Sequence, residues 1–503
     1  MENKRSRKTQ RKKEPGALSR FLRSNKEMPL LAAVGAGLYP IFFYFTNNYT
    51  LINTSRHLAY FAVMFLVVPM VIFYIAHRIS KLDVFESLRK YVLPFLNIFT
   101  FLFLLKVCLY AGLQKKLIVL IIVASFIFAY LLYKHLKKII VVQFILAIIG
   151  LVSLVPTVIT QINYTDEWMK QPDDIENASF TKKPNVYLIQ PDGYVNFSEL
   201  DKGYYDYDNS KFEYYLLKNN FTNYPNFRSN YASTLASNSA TFAMKHHYYN
   251  RGTSFSEAIN ARNVLISSNP VLDLFKKNGY ITHFLAQKPY LLLNKPEIGY
   301  HKSNFTLDDV AYIGTGLGDP QDIISPLKQF MEEDPGKPKF YFMEIFNPGH
   351  IHNRSADSKG VEGERKLWLE GLETANKILR EAIDHIREND PNALIIIMAD
   401  HGGFVGLEYT KQIYYKTEDR DIIYSIFSSQ LSIHWPEEEV PEAGKSIKSA
   451  VNVFRAVISY LTEDTSYLEH LQDDGSYVIL NKDAPQGIYQ YIDDNGNIVI
   501  KKR

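Results

Sequence analysis

The sequence predicts an α-helical membrane domain of five spans followed by an extracytoplasmic α/β sandwich with a largely parallel sheet. Three observations carry that prediction. Charge divides along the chain: residues 1–162 hold 21 Lys+Arg against 5 Asp+Glu, leaving 35 against 48 for residues 163–503, so the overall +3 hides a basic and an acidic part. Apolar stretches long enough to cross a bilayer occur only in the basic part. In the acidic part, short β-rich runs alternate with amphipathic helical patterns, which is the signature of a sheet covered by helices.

Residues 1–28 read as a basic cytoplasmic tail, with ten Lys and Arg in the first 26 positions. A basic tail beside a membrane span follows from topology and anionic lipid, so no nucleic-acid partner is predicted. Residues 29–162 are the transmembrane domain, with spans near 29–47, 57–77, 91–112, 117–133 and 139–161. Lys106 interrupts the third span and either snorkels or faces the bundle. Cys108, the only cysteine, lies in the same apolar run, so one chain can build neither a disulfide framework nor a thiolate zinc cluster. Arg78, Lys81, Arg89 and Lys90 fill the second loop, and Lys134, Lys137 and Lys138 the fourth. The first and third loops offer only Arg56 and Lys115–Lys116. Positive residues stay inside, so the amino terminus is cytoplasmic and an odd number of spans places the remainder outside, on a multi-pass protein of the cell (inner or cytoplasmic) membrane.

Residues 163–184 read as a polar linker, and residues 185–503 as the extracytoplasmic domain. Strands are expected in "NVYLIQ", "YITHFLA", "KFYFMEIF" and "ALIIIMA", and the clearest helix spans Gly363 to Arg387. Three strands run into suggestive residues: Asp192-Gly193, then Asn347-Pro348-Gly349-His350-Ile351-His352, then Asp400-His401-Gly402-Gly403. Parallel strands bring their carboxyl ends together, and sites form there. Two carboxylates and an imidazole at one edge make a hard, oxygen-rich set suited to one divalent ion, Mn²⁺, Mg²⁺ or Zn²⁺. The glycines are expected to let the backbone turn tightly beside the ion. Ser229 to Met244 is dense in hydroxyls ahead of a helical stretch; a Ser or Thr at a helix amino terminus is well placed to hold an anionic group, although such residues also serve as caps.

Asp192, a Thr-x-x-Ser segment at Thr234-Leu235-Ala236-Ser237 and Asp400-His401-Gly402-Gly403, in that order, resemble the alkaline phosphatase and sulfatase superfamily. Five spans ahead of an outer domain resemble its membrane branch, which includes lipoteichoic acid synthases and lipid A phosphoethanolamine transferases. The resemblance covers roughly residues 184–460. It implies that Asp192, Thr234, Asp400 and His401 hold one metal, with Thr234 the nucleophile and Ser233 its competitor. It places His350 in the substrate pocket, where it stabilises the transferred group or protonates a leaving oxygen, with His352 sharing that role. Ser237 is a candidate substrate contact; Arg228, close in sequence to Thr234, is either a clamp for an anionic substrate or a solvated or structural arginine. No Cys/Ser-x-Pro-x-Arg motif occurs, which disfavours sulfate-ester hydrolysis; position 346 is Phe where a two-metal pattern needs Asp; and the outer domain lacks the disulfides of the transferases. The implied activity is transfer of a phosphoglycerol- or phosphoethanolamine-type head group from a membrane lipid to a cell-envelope glycan or lipid through a phospho-threonine. Hydrolysis at the same site and a catalytically silent binding module are the alternatives.

Other signals are set aside. Gly314 to Asp319 lacks the strand-then-helix context of a phosphate loop and reads as a surface loop; His246-His247 read as a structural pair and His434 as a strand residue.

Overall fold

A computed structural model describes residues 16–110, 112–247, 260–314, 316–437 and 439–503. The chain divides into two compact units: residues 1–158 with 312–316, and residues 159–311 with 317–503.

Among the described residues, four helical stretches are long and apolar enough to cross a membrane. They are α1 (Pro29–Ile52), α2 (Ser55–Ile79), α3 (Arg89–Leu109) and a run from Lys115 to Ile162. Where the sequence predicts two separate spans, the structure shows one 48-residue run. Within it, Leu132 leaves helical geometry (φ −111°, ψ 8°) and a 3₁₀ turn at Tyr133–His135 separates α4 (Lys115–Leu132) from α5 (Leu136–Ile162). Pro29 starts α1, where its missing N–H costs no hydrogen bond. Gly37 of α1 has no room for a side chain: a Cβ there would lie 1.9 Å from the Phe65 carbonyl oxygen, in a π-helical turn (Val63–Val67) of α2. Asn97 of α3 and Gln143 of α5 exchange amide hydrogen bonds of 2.9 and 3.0 Å, and Asn97 also donates to the Ala32 carbonyl of α1 at 2.8 Å. Buried amides in an apolar bundle need such partners, so these three helices are fixed in rotation. Lys106 is buried and donates to the Gly112 carbonyl.

The second unit is built on a seven-stranded sheet of order β2-β7-β6-β1-β5-β3-β4. Its strands are β1 (Val186–Pro191), β2 (Phe221–Asn223), β3 (Ile281–Ala286), β4 (Lys302–Ser303), β5 (Lys339–Ile345), β6 (Leu394–Met398) and β7 (Leu431–His434). β6, β1, β5, β3 and β4 are parallel; β7 runs antiparallel to β6, and β2 antiparallel to β7. All of the expected strands form. Both faces are covered, so β1 is apolar on both: Val186 and Leu188 enter one core with Leu235 and Phe242, while Tyr187 and Ile189 enter the other with Trp368 and Leu372. The first core carries α6 (Thr234–Ala243), the second the 30-residue α7 (Gly360–Asn389). A three-stranded antiparallel sheet, β10-β9-β8, is built from Ile498–Lys502, Gly487–Ile492 and Ser476–Leu480.

Residues 163–184 are not a free tether. Ile175 and Phe180 are buried in the first core, and Asp173 pairs with the fully buried Arg455 at 2.7 Å. The polar letters of this stretch are those that stay at the surface or find partners, which a composition-based reading cannot separate from a solvated linker.

Candidate metal centre

The order β6-β1-β5 lays three carboxyl ends side by side, so the turns after them converge. Asp192 follows β1 and Asp400-His401 follow β6, and ligand atoms of these three buried residues lie within 4.8 Å of one another. His401 Nε2 is 3.6 Å from Asp192 Oδ1 and 3.3 Å from Asp400 Oδ2. Nδ1 of His401 is 2.8 Å from the Gly402 carbonyl oxygen, which can only accept, so the ring proton sits on Nδ1 and Nε2 offers its lone pair inward. Thr234, first residue of α6, is half-buried and donates its hydroxyl to that lone pair at 3.2 Å.

The turns are held rigidly. Asp400 Oδ1 accepts from the N–H groups of Gly193 (3.1 Å) and His401 (3.0 Å). Trp368 of α7 donates Nε1 to the carbonyls of Gly349 (3.0 Å) and Gly193 (3.3 Å), tying the β1 and β5 turns together. Gly193 sits at φ +65°, and a Cβ would lie 2.2 Å from the Gly349 carbonyl oxygen. Gly402 and Gly403 do not have the positive φ that tight turning would need; it is Phe404 that has φ 62°. They are small for a different reason. A Cβ on Gly402 would lie 2.1 Å from the Ser425 carbonyl oxygen, and one on Gly403 2.1 Å from Trp368 Nε1. Tyr205 completes the support: its hydroxyl accepts from Gly403 N–H at 3.1 Å.

Electrostatically the cluster is short of positive charge. Burial and the neighbouring Asp400 hold the Asp192 carboxyl well above the usual carboxylate range. Asp192 Oδ1 and Asp400 Oδ2 are buried without a hydrogen-bond partner among the described residues. Two orphaned carboxylate oxygens, an inward imidazole lone pair and a threonine hydroxyl are the donor set of a hard divalent cation, and the two carboxylate oxygens are costly to bury without one. The residues present therefore fit a bound metal.

The other predicted residues are placed as follows. His350 is beside the cluster, its ring centroid 5.9 Å from that of His401, and Phe404 stacks on both rings. Its Nδ1 donates to the Ile351 carbonyl at 2.8 Å, and burial lowers its pKa, so neutral His350 keeps a lone pair on Nε2. His352 is turned to Glu364, its Nδ1 lying 2.9 Å from Oε1. Ser237 is buried on α6 with no hydrogen-bond partner for Oγ. Ser233 is the residue before α6 and makes no side-chain cap. Arg228 is not with the cluster as a clamp: its guanidinium donates to the carbonyls of Asp474 (3.1 Å), Asp493 (2.9 Å) and Asp494 (3.3 Å). A buried guanidinium must satisfy its donors, and here backbone oxygens do so. His246, His247 and His434 are buried and bonded to Tyr231 and Asp473, Ala236, and Ala393, as structural residues. Of Gly314 to Asp319, position 315 lies outside the described residues.

Glu344 was not singled out in the sequence. It is buried in β5 beside Gln190 of β1, Oε2 has no hydrogen-bond partner among the described residues, and burial followed by the charges of Asp192 and Asp400 raises its pKa far above the usual range. The signal available was an acid inside the otherwise apolar run "FYFMEIF".

No protein-family model matches the chain, and no curated protein does. Among solved structures it is similar to lipooligosaccharide phosphoethanolamine transferase A (EptA), an integral membrane protein from Neisseria meningitidis. There the identity is 12%, the TM-score 0.38, and the match covers 86% of this chain and 95% of that one. It is also similar to the C-terminal periplasmic domain of the phosphoethanolamine transferase EptC from Campylobacter jejuni (14% identity, TM-score 0.39, covering 58% and 92%). A third is the lipoteichoic acid synthase LtaP from Listeria monocytogenes (13% identity, TM-score 0.41, covering 65% and 91%).

Proposed function

We propose that the chain is a membrane-anchored, metal-dependent phosphotransferase of the alkaline phosphatase and sulfatase superfamily. It moves a phospho-linked head group from a membrane lipid to a hydroxyl of a cell-envelope glycan or lipid. The observation that carries this reading is the buried set of Asp192, Asp400 and His401 with orphaned oxygens, faced by a half-exposed threonine at the start of a helix. Asp192, Thr234, Asp400 and His401 would hold the ion. When bound, a divalent cation supplies charge that favours the threonine alkoxide and neutralises phosphoryl oxygen.

The rest falls to the protein. Thr234 Oγ gives its proton to His350 Nε2 and attacks phosphorus, the Oγ–P bond forming as the bond from phosphorus to the lipid oxygen breaks, and that oxygen takes the proton from His350. An acceptor hydroxyl then attacks the phospho-threonine, loses its proton and restores Thr234. His350, neutral with Nε2 unprotonated, is the group that accepts and returns that proton. The α6 amino terminus adds N–H groups and dipole to the transferred phosphate.

Five crossings complete the reading. The 48-residue run would measure about 72 Å as one helix, more than twice a bilayer core of about 30 Å, so α4 and α5 cross separately about the Tyr133–His135 turn. With the basic loops inside, the second unit lies outside the cytoplasm.

The test is metal analysis with intact mass on the purified protein, wild type beside Thr234→Ala, after exposure to phospholipid. About one equivalent of metal and a Thr234-dependent adduct are expected. Metal with released head group and no adduct would move the reading to hydrolysis, and neither metal nor adduct would leave a binding module.

A further inference from the structure

The strongest unassigned feature is a cleft of about 370 Å³ within the first unit, at the end of the bundle where the segment before α1, the start of α3 and the α4–α5 turn meet. Arg23 and Lys26 reach it from the first of these, Arg89 and Lys90 from the second, and Lys134, Lys137 and Lys138 from the third. Among the described residues Glu27 is its one acid, and that carboxylate lies 3.5 Å from His77 Nδ1. The floor is apolar, with Phe21, Leu93, Pro94 and Ile140.

The cations divide into two groups. Arg89 donates to the carbonyls of Ser80 (2.9 Å) and Lys81 (2.8 Å), and Lys137 to those of Phe21 (3.1 Å) and Ser24, so these two fix the walls. Arg23, Lys26, Lys90, Lys134 and Lys138 are exposed, and none makes an ion pair among the described residues. Lys90 and Lys134 instead lie over the Tyr133 ring, at 5.4 and 5.7 Å. Orientation requires positive charge at this end of the bundle but does not require it to converge on one cleft. Like charges gathered there repel one another, and an anion in their midst relieves that repulsion.

We infer that this cleft binds an anionic glycerophospholipid, its phosphate among the exposed cations and its glycerol and acyl chains against the apolar floor. The inference rests on reading the helices as membrane spans. It is independent of the chemistry proposed for the second unit. A basic rim over an apolar floor matches an amphiphile better than a free phosphate, and each cation near an anionic head group contributes on the order of 1 kcal/mol.

The full chain in phosphatidylcholine nanodiscs tests this, with phosphatidylglycerol or soluble glycerol phosphate added, read by retained lipid in native mass spectrometry and by thermal midpoint. Wild type should retain phosphatidylglycerol over phosphatidylcholine and gain in midpoint. Lys134→Gln/Lys138→Gln should retain it about tenfold less well, while Lys134→Arg/Lys138→Arg and the opposite-end control Lys115→Gln/Lys116→Gln should retain it as wild type does. Equal retention of both lipids by wild type would overturn the proposal without recourse to any variant. So would undiminished retention by the glutamine variant, or an equal midpoint gain from glycerol phosphate.

Discussion

At the scale of single residues, the metal cluster and one distant histidine make opposite demands on charge. Asp192 and Asp400 are buried together with oxygens that no other described residue satisfies, which favours a bound cation. Asp400→Asn should therefore lower bound metal from about one equivalent to background. It should also abolish the fall in thermal midpoint that a chelator causes in wild type; a chelator response unchanged by the substitution would refute the ligand assignment. His283 of β3 needs the reverse. Its ring nitrogens are buried against Tyr341 without hydrogen-bond partners among the described residues, and burial, then Lys302 and Lys339, hold its pKa down to about 4. The unfolded chain protonates this group first as pH falls below about 6.5. Its contribution is thus complete above that pH and is lost progressively toward pH 4. Between pH 6.5 and 5 the loss amounts to about 2 kcal/mol. His283→Phe keeps a ring against Tyr341, and denaturant unfolding at the two pH values should show its acid loss reduced by about that amount.

At the scale of elements, the site depends on how closely its turns approach one another. Gly193 and Gly336 both have positive φ, but a Cβ at Gly193 meets the Gly349 carbonyl at 2.2 Å while one at Gly336 meets nothing within 4 Å. An alanine at either position carries about 1–2 kcal/mol of left-handed strain. Gly193→Ala should cost about 1–3 kcal/mol more, because the β1 and β5 turns must separate. That separation would also move Asp192, so metal content should fall in Gly193→Ala and stay unchanged in Gly336→Ala. Equal midpoints and equal metal content would show that the turn approach does not matter. The same reasoning explains Gly402-Gly403, where the neighbours are a carbonyl and the Trp368 ring.

At the scale of the whole molecule, the chain carries two units of different solvent preference, and the boundary between them is structural. Residues 163–184 belong to the folded second unit through Ile175, Phe180 and the Asp173–Arg455 pair. A second unit beginning at residue 163 should be soluble and cooperative, whereas one beginning at 185 should unfold at a much lower temperature. Two large apolar side chains contribute about 2–3 kcal/mol each, and a buried arginine stripped of its partner adds about 3–5 kcal/mol. Matching melting curves for the two fragments would show that the stretch is a linker after all.

The sequence by itself determined the long apolar helices of the amino-terminal part, the strands β1, β3, β5 and β6, and the positions of Asp192, Thr234, Asp400 and His401. Each of these is written in local pattern: long apolar runs, apolar runs without alternation, and short motifs at strand ends. Tertiary structure decided what depends on residues far apart in the chain. It took Arg228 away from the metal cluster, because its donors found carbonyls some 250 positions later. It turned His352 to Glu364, brought Trp368, Tyr205 and Phe404 to support the turns, and set Glu344 beneath them. A side chain's type limits which bonds it can make, but which partner it meets is fixed only when strands pair and helices pack, since that is when water is removed and every buried donor and acceptor must be satisfied.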